Sequence, residues 1–465
     1  MVVQENQLDI KRLQELDRNH VWHPLTQHQG FQQGANPLII TGGEGSVVRD
    51  IEGNEFLDAA AGLWCVNVGY GRGELVEAAM NQMSQLAYYP LTQSHPKAIE
   101  LSAKLANYLP HVPHIYYSNS GSEANELAFK AIRQYWKQVG EPSKVKILSR
   151  HRGYHGTTLG ALSATGQPRR KRDYEPLAAG FIQVSAPYCY QCPFHLTHPE
   201  CAMQCVSEFE RRIQIEDPGT VAAIIVEPII AGGGVLVPPE EYLKELSQIS
   251  KKYHVKLIVD EVVTGFGRTG EMFAHVGYGV TPDVVTMAKG LASGYMPIGA
   301  TAFSDEIFSA FIGDIESGKH LRHVNTYSGH PVSTAVALAN IQLIEKELLA
   351  NRSKELGEYF LVRLHEVLQN ISSVGDIRGK GLLVGVELVQ DKVSQKPVSD
   401  SFMRGIARFL LEKGIITGKT TDVERDQNNI LMFAPPLVIT KVQIDQLVNS
   451  VKDAIVNMGT KEVQL

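Results

Sequence analysis

The chain has 465 residues, and its 44 Lys and Arg against 50 Asp and Glu give a formal net charge of −6 at pH 7. This near balance argues against a nucleic-acid binder and gives no preference for an anionic membrane. The length allows a large core and more than one domain. No apolar run approaches the roughly 20 residues that span a bilayer, and the N-terminus carries Glu5 and Asp9 without an apolar core segment. We therefore expect a cytoplasmic protein with neither a membrane nor a nucleic-acid partner.

The five cysteines, an odd number in a long chain, do not indicate a disulfide framework. Four of them cluster with C-x2-C and C-x3-C spacing: Cys189, Cys192, Cys201 and Cys205. Such spacing can ligate zinc tetrahedrally, but the short gap between the pairs and the flanking His195 and His198 leave the geometry unconstrained. We expect a loop of reduced thiols and no metal, with a structural zinc as the alternative.

The predicted elements begin with a helix and a hairpin. Residues 8–17 have helical apolar spacing, and residues 45–58 place apolar residues on either side of a Glu-Gly-Asn turn, which is typical of a hairpin. Residues 115–126 run from a strand through a turn into a helix. Further strand-like runs follow at residues 146–148, 221–226, 257–259, 283–288 and 298–303.

The C-terminal part of the sequence has the pattern of a smaller α+β unit. Helical patterns at 332–346 and 353–368 precede a strand-like run at 382–388. The last periodic segment, 444–458, has one apolar face, formed by Ile444, Leu447, Val448, Val451, Ile455 and Met458. We expect an N-terminal segment (1–65) that packs with a small domain (330–465), and a large domain (66–329) between them.

Two of the strand-like runs end on a charged residue. The run Leu-Ile-Val at 257–259 leads into Asp260, and the run at 283–288 ends on Lys289. An open α/β sheet binds ligands at the carboxyl ends of its strands. Desolvation there favours the neutral amine of Lys289, which is the nucleophile for a carbonyl. Asp260 can keep a pyridine nitrogen protonated, as pyridoxal phosphate requires of a carboxylate partner.

The strand-to-helix segment at 115–126 predicts an anion site. It contains Ser-Asn-Ser-Gly-Ser-Glu-Ala-Asn-Glu at 118–126, with Gly121 and Ser122 at the turn. Small residues let the backbone approach an anion, and a helix that begins near Ser122 points free N–H groups and its positive dipole end at that anion. A phosphate fits there, although an ordinary capped helix has a similar sequence.

The stretch Val-Asp-Glu-Val-Val-Thr-Gly-Phe-Gly-Arg-Thr-Gly at 259–270, followed by Ala-Lys-Gly-Leu at 288–291, resembles the signature of the class III pyridoxal-phosphate aminotransferases. The resemblance covers about residues 20 to 460. It implies an α/β protein of fold type I, with a mostly parallel central sheet in the large domain and a smaller α+β domain. It also implies pyridoxal 5′-phosphate as the cofactor, Lys289 as the catalytic lysine and a homodimer or tetramer with shared active sites.

The resemblance implies roles for residues around the cofactor. Gly121 and Ser122 correspond to the family's phosphate cup. Tyr154 stacks on one face of the pyridine while Val262 packs on the other, which holds the ring for the reaction.

Three further residues are assigned by the same resemblance. The resemblance implies that Trp64 and Tyr154 line the substrate pocket and that Glu227 supports the cofactor site from behind. His155 has the same supporting role, with a general base as the alternative.

Thr326 lies in a segment that, in the family, reaches the phosphate of the neighbouring subunit's cofactor. An ordinary turn residue ahead of the helix that Pro331 opens is the alternative for it. The basic stretch at 169–172, Arg-Arg-Lys-Arg, is followed at once by Asp173. We expect a solvated loop or a subunit contact there.

Within this class the chain resembles the ω-amine:pyruvate aminotransferases. They imply transfer of an amino group from an ω-amine, a diamine or an ω-amino acid, including taurine or β-alanine, to pyruvate. These relatives carry a mobile arginine ahead of Ala-Pro-Pro-Leu, here at 434–437. Either Lys419 or Gly418 occupies that place, and Lys419 as an ordinary solvated lysine is equally open. The alternative function is the biotin-pathway adenosylmethionine:8-amino-7-oxononanoate aminotransferase, which shares Trp-His-Pro at 22–24.

Overall fold

The computed structural model describes residues 9–424 and 427–462. The helices are α1 (Ile10–His20), α2 (Gln29–Gln32), α3 (Ala61–Trp64), α4 (Gly73–Gln85), α5 (Pro96–Tyr108), α6 (Gly121–Gln138), α7 (Leu159–Ala164), α8 (Pro168–Lys171), α9 (Gln204–Ile215), α10 (Tyr242–Lys252), α11 (Ala274–Gly277), α12 (Asp305–Ser309), α13 (Pro331–Lys346), α14 (Leu349–Leu368), α15 (Asp400–Glu412) and α16 (Lys441–Glu462). Single 3-10 turns lie at Pro218–Thr220, Lys289–Leu291 and Ile315–Ser317. In the described ranges no helix combines the length and the apolar character needed to cross a membrane.

The strands form three sheets. They are β1 (Ile40–Glu44), β2 (Val47–Asp50), β3 (Glu55–Asp58), β4 (His114–Ser118), β5 (Lys146–Arg150), β6 (Phe181–Val184), β7 (Val221–Val226), β8 (Lys256–Asp260), β9 (Val284–Met287), β10 (Gly299–Phe303), β11 (Val374–Lys380), β12 (Leu383–Leu388), β13 (Ile415–Ile416), β14 (Gly418–Lys419) and β15 (Ile430–Phe433). The central sheet has seven strands in the order β4-β10-β9-β8-β7-β5-β6. Only β10 runs antiparallel to its neighbours, β4 and β9. This mostly parallel sheet confirms the predicted fold class.

The middle strands of the central sheet are buried along their whole length. Every residue of β7, β8 and β9 is buried, as expected for strands covered on both faces. Helix α6 covers one face and places Leu127, Ile132 and Trp136 in one cluster with Ile147 and Ile258 of the sheet. Full burial of such a side chain stabilises the fold by about 1.5–3 kcal/mol. The carboxyl ends of β8 and β9 are thereby held in fixed positions.

Two smaller sheets join distant parts of the chain. The antiparallel sheet β11-β12-β15-β14 is formed entirely by the C-terminal part. In the sheet β1-β2-β3-β13, β13 pairs in parallel with β3, so Ile415 lies opposite Leu57. Strand β3 of the N-terminal segment is thus paired with the C-terminal part, while the domain boundaries at 65 and 329 stay predictions.

Most predicted elements are present with small changes at their ends. The Glu-Gly-Asn hairpin is β2 and β3. The helix predicted at 332–346 begins one residue earlier, with Pro331 in its first turn, where a missing N–H is harmless. The first helix is displaced to Ile10–His20, and residue 8 of the predicted stretch lies outside the described residues. The run predicted to end on Lys289 ends at Met287.

The four clustered cysteines are free thiols that line one small cavity. Nowhere in the described part of the chain do three or more His, Cys, Asp or Glu side chains stand in an arrangement that could hold a metal ion. The geometry therefore gives the zinc alternative no support.

Candidate active site

Asp260 is the last residue of β8, and its buried carboxylate is held by three donors. Asn125 Nδ2 and His155 Nδ1 each lie 2.8 Å from Oδ2, and the Val262 backbone N–H donates to Oδ1 at 3.0 Å. Hydrogen bonds to an ionised acceptor are short and strong. They fix the orientation of the carboxylate at the edge of the sheet.

Lys289 begins the turn that follows β9, and its backbone lies in the left-handed region, with φ 35°. That conformation is strained for a residue with a side chain, by roughly 1–3 kcal/mol. Its Nζ lies 4.8 Å from the centroid of the Trp64 ring. Burial lowers the pKa of Lys289, against the opposing effects of Cys65 and Asp260. A lowered pKa enlarges the fraction of neutral, nucleophilic amine.

The start of helix α6 forms a cradle at the same edge. The helix begins at Gly121, and the hydroxyl of Ser122 accepts a hydrogen bond from the Thr157 N–H at 3.1 Å. A Cβ on Gly121 would lie only 2.9 Å from Cγ1 and Cγ2 of Val262, so the absence of a side chain permits this close approach. The first N–H groups of a helix have no partner within the helix and attract anions.

Glu227 follows β7 and organises the loop that carries Tyr154. Its Oε1 accepts from the Tyr154 N–H at 3.0 Å, and its Oε2 accepts from the Ala231 N–H at 3.1 Å. Burial raises the pKa of Glu227, and the nearby imidazole of His155 opposes this. Both carboxylate oxygens of Glu227 therefore accept hydrogen bonds from backbone N–H groups, and its supporting role at the cofactor site stays a prediction.

Trp64 and Tyr154 both lie close to Gly232. A Cβ on Gly232 would lie 3.6 Å from Tyr154 Cβ and 3.7 Å from Trp64 Cη2, so the two aromatic residues meet at this glycine. The guanidinium carbon of Arg170 lies 5.5 Å from the centroid of the Tyr154 ring. Arg170 belongs to the basic stretch that was predicted to be a solvated loop or a subunit contact, and in this chain it is half-buried against the aromatic wall.

The residues present fit pyridoxal phosphate. Three polar features at one edge of the sheet match its pyridine nitrogen, its carbonyl and its phosphate: a buried carboxylate at Asp260, an amine of lowered pKa at Lys289 and the helix start at Gly121. In addition, His155 Nε2 and Asn125 Oδ1 are buried polar atoms without a partner among the described residues. Buried polar atoms are normally hydrogen-bonded, so both atoms remain able to form a further hydrogen bond.

Two predicted site residues lie outside this cluster. Thr326 is exposed on a surface turn, where its carbonyl accepts from Tyr88 Oη at 2.7 Å. Lys419 is half-buried in β14, opposite Leu431. Burial lowers the pKa of Lys419, and the charges that act on it include Asp400 of α15. The roles of Thr326 and Lys419 stay predictions.

Sequence reasoning missed Asn125 and Arg170. Asn125 is four residues after Gly121, one helical turn along α6 on the same face. A buried asparagine one turn after a predicted phosphate site was a usable signal. For Arg170 no local signal exists, because its contacts with Tyr154 and with Thr421 arise only in the folded chain.

Comparison with known proteins shows the family. The model of the class III aminotransferase family matches residues 30–455. The uncharacterized aminotransferase YhxA of Bacillus subtilis is 46% identical, over 98% of this chain and 99% of its own length. The taurine–pyruvate aminotransferase of Bilophila wadsworthia is 39% identical, over 97% and 99% of the two chains.

A solved structure gives the same result. The (S)-enantioselective ω-transaminase from Thermomicrobium roseum superposes with a TM-score of 0.90 at 40% identity, covering 96% of this chain and 98% of that one. Fold, site and sequence therefore agree, and the chain belongs to the class III aminotransferases, which depend on pyridoxal 5′-phosphate.

Proposed function

We propose that this enzyme moves an amino group from an ω-amine, a diamine or an ω-amino acid, including taurine or β-alanine, to pyruvate, which gives an aldehyde or ketone and alanine. The observation that carries the proposal is the position of Lys289, whose Nζ lies 4.8 Å from the centroid of the Trp64 ring. An amine beside a flat apolar wall suits donors whose carbon chain needs apolar contact. The similarity to a taurine–pyruvate aminotransferase and to an ω-transaminase supports this substrate class.

In this proposal the cluster at the sheet edge holds the cofactor. Asp260 pairs with the pyridine nitrogen, and Gly121 and Ser122 hold the phosphate. Tyr154 and Val262 cover the two faces of the ring. Bound there, pyridoxal phosphate supplies an electron sink for the bond that is broken at the amine-bearing carbon.

Lys289 carries the proton in both directions. Its Nζ takes the proton from the amine-bearing carbon of the donor as a general base and returns a proton as a general acid. The lowered pKa of Lys289, caused by burial, makes the neutral form needed for the first step more available. His155 acts by positioning: its Nδ1 is 2.8 Å from Asp260 Oδ2, which keeps that carboxylate directed at the cofactor.

We also infer a homodimer, or a tetramer built from such dimers, in which Thr326 of one subunit reaches the phosphate site of the other. Thr326 is exposed in the single chain. The adjacent Asn325 donates to Glu123 Oε2 of the same chain at 3.0 Å, which fixes the turn that carries Thr326. The contact with the other subunit is inferred from the family resemblance.

The test is alanine formation from pyruvate, with taurine, β-alanine, putrescine and a hydrophobic monoamine as separate donors. We expect turnover with at least one of them. Arg172→Gln serves as a surface control, because Arg172 is paired with Asp173 at 3.3 Å and is exposed. Silence with all four donors would refute pyruvate-linked ω-amine transfer and favour the biotin-pathway alternative, whose acceptor is not pyruvate.

A further inference from the structure

We propose that Arg170 binds the acid group of the substrate: the carboxylate of pyruvate and the carboxylate or sulfonate of an acidic donor. The inference rests on the proposed function, because it concerns the same pocket. It replaces Lys419 by Arg170 as the residue that sets the preference for acidic substrates.

Arg170 is held beside the Tyr154 ring by hydrogen bonds to neighbouring residues. Its guanidinium carbon lies 5.5 Å from the centroid of the Tyr154 ring. Its Nε donates to Gln167 Oε1 at 2.7 Å, and its Nη2 donates to the Thr421 carbonyl at 3.3 Å. Gln167 Nε2 lies 3.6 Å from the place of a Cβ on Gly232, the glycine that lies beside both Trp64 and Tyr154. A planar guanidinium held in this way needs little reordering to receive a ligand.

The acceptors around Arg170 are neutral. It makes no ion pair with any carboxylate that the structure describes, in contrast to Arg172 two residues later, which pairs with Asp173 at 3.3 Å, and to Arg152, which pairs with Glu424 at 3.4 Å. A guanidinium has five N–H donors, and the bonds to Gln167 and Thr421 use only two of them. The remaining donors match the two oxygens of a carboxylate or two oxygens of a sulfonate.

Lys419 is less suited to the same task. Burial has the largest effect on the pKa of Lys419 and lowers it. Three charged residues of the C-terminal part also act on this pKa: Asp400, Arg404 and Asp422. An ammonium also lacks the fork that binds two oxygens at once. Thr421, two residues after Lys419, accepts a hydrogen bond from Arg170. The segment that carries Lys419 and the segment that carries Arg170 are therefore in contact.

The position of Arg170 also explains how one pocket can serve acidic and apolar substrates. When a donor without an acid group is bound, the guanidinium keeps its contact with the Tyr154 ring, which is attractive for a cation. Arg170 therefore binds an acid group when the substrate has one, and substrates without an acid group can still bind. The prediction is that only substrates with an acid group depend on Arg170.

The experiment compares Arg170→Gln with the matched control Arg172→Gln, with the conservative variant Arg170→Lys and with Lys419→Gln, each as holoenzyme. Calorimetry gives the Kd of two unreactive anions, propionate and ethanesulfonate. Transient kinetics gives the half-reactions with pyruvate and with hexylamine. In Arg170→Gln we expect a Kd for both anions and a KM for pyruvate about 10- to 100-fold higher, as for a lost charge-assisted hydrogen-bond pair. The kcat with pyruvate and the hexylamine half-reaction should stay within about twofold.

Arg170→Lys should recover part of the anion affinity, and Arg172→Gln should change nothing. Unchanged Kd values in Arg170→Gln, or an equal loss of both half-reactions, would overturn the inference, and a raised Kd in Lys419→Gln instead would assign the acid group to Lys419. If the wild type does not use pyruvate at all, the proposed function fails. The propionate and ethanesulfonate Kd values still decide the role of Arg170 in that case.

Discussion

Gly121 is the position where one added methyl group tests the phosphate cradle most directly. A Cβ there would lie 2.9 Å from both Cγ atoms of Val262, which is inside the normal contact distance. Val262 is restrained, because its N–H donates to Asp260 Oδ1 at 3.0 Å. Overpacking of this kind costs about 1–3 kcal/mol. If that strain falls on the cofactor-binding conformation, Gly121→Ala should weaken binding of pyridoxal phosphate about 5- to 150-fold.

The assay is titration of the apoenzyme with pyridoxal phosphate, followed by absorbance. Gly73→Ala is the matched control, because Gly73 also begins a helix and a Cβ there meets nothing within 4 Å. In a Val262→Ala background the clash is removed, so adding Gly121→Ala should then change the Kd by less than about twofold. An equal loss in both backgrounds, or none in the single variant, would refute the steric reasoning.

Lys289→Ala should abolish alanine formation yet leave noncovalent cofactor binding measurable by the same titration; retained turnover would contradict its role as the base. Mixed dimers of Lys289→Ala and Thr326→Ala subunits should be more active than either parent if sites are shared, and no recovery would place each site within one chain. Burial, reinforced by the neighbouring His275, lowers the pKa of His111 to about 4. The stability that follows from a neutral His111 is complete above about pH 6.5 and is lost as the pH falls towards 4. In His111→Gln, Tm should therefore depend less on pH over that range. If Tm of the variant depends on pH as in the wild type, His111 is not the source of the pH dependence.

Local sequence was sufficient to predict that Asp260 and Lys289 lie at the carboxyl ends of neighbouring strands. Each follows a short apolar run whose whole length is buried in the sheet, and the carboxyl ends of neighbouring parallel strands meet at one edge. Strand order was not needed for this, because β8 and β9 are neighbours both in sequence and in the sheet. Helix ends were predicted within a few residues for the same reason: caps and periodicity are local properties.

Contacts between distant segments were beyond this reasoning. Strand β13 pairs with β3 across more than 350 residues, with Ile415 opposite Leu57, and nothing in either short segment specifies that partner. The same holds for Arg170, whose carbonyl partner Thr421 lies 251 residues away. Because register changes the face on which a side chain lies, the direction of Lys419 in the two-residue strand β14 could not be derived from its spacing either.

Burial changes the pKa of Lys289 more than any single neighbouring charge does. Burial is the largest single effect on the pKa of Lys289 and lowers it, whereas Cys65, Asp260 and Glu227 raise it and Arg268 lowers it further. Two carboxylates near an ammonium would otherwise keep it protonated. The chemistry of Lys289 therefore depends on the side chains that exclude water from it. Trp64, with its ring centroid 4.8 Å from Nζ, is one of the side chains that lie beside this amine.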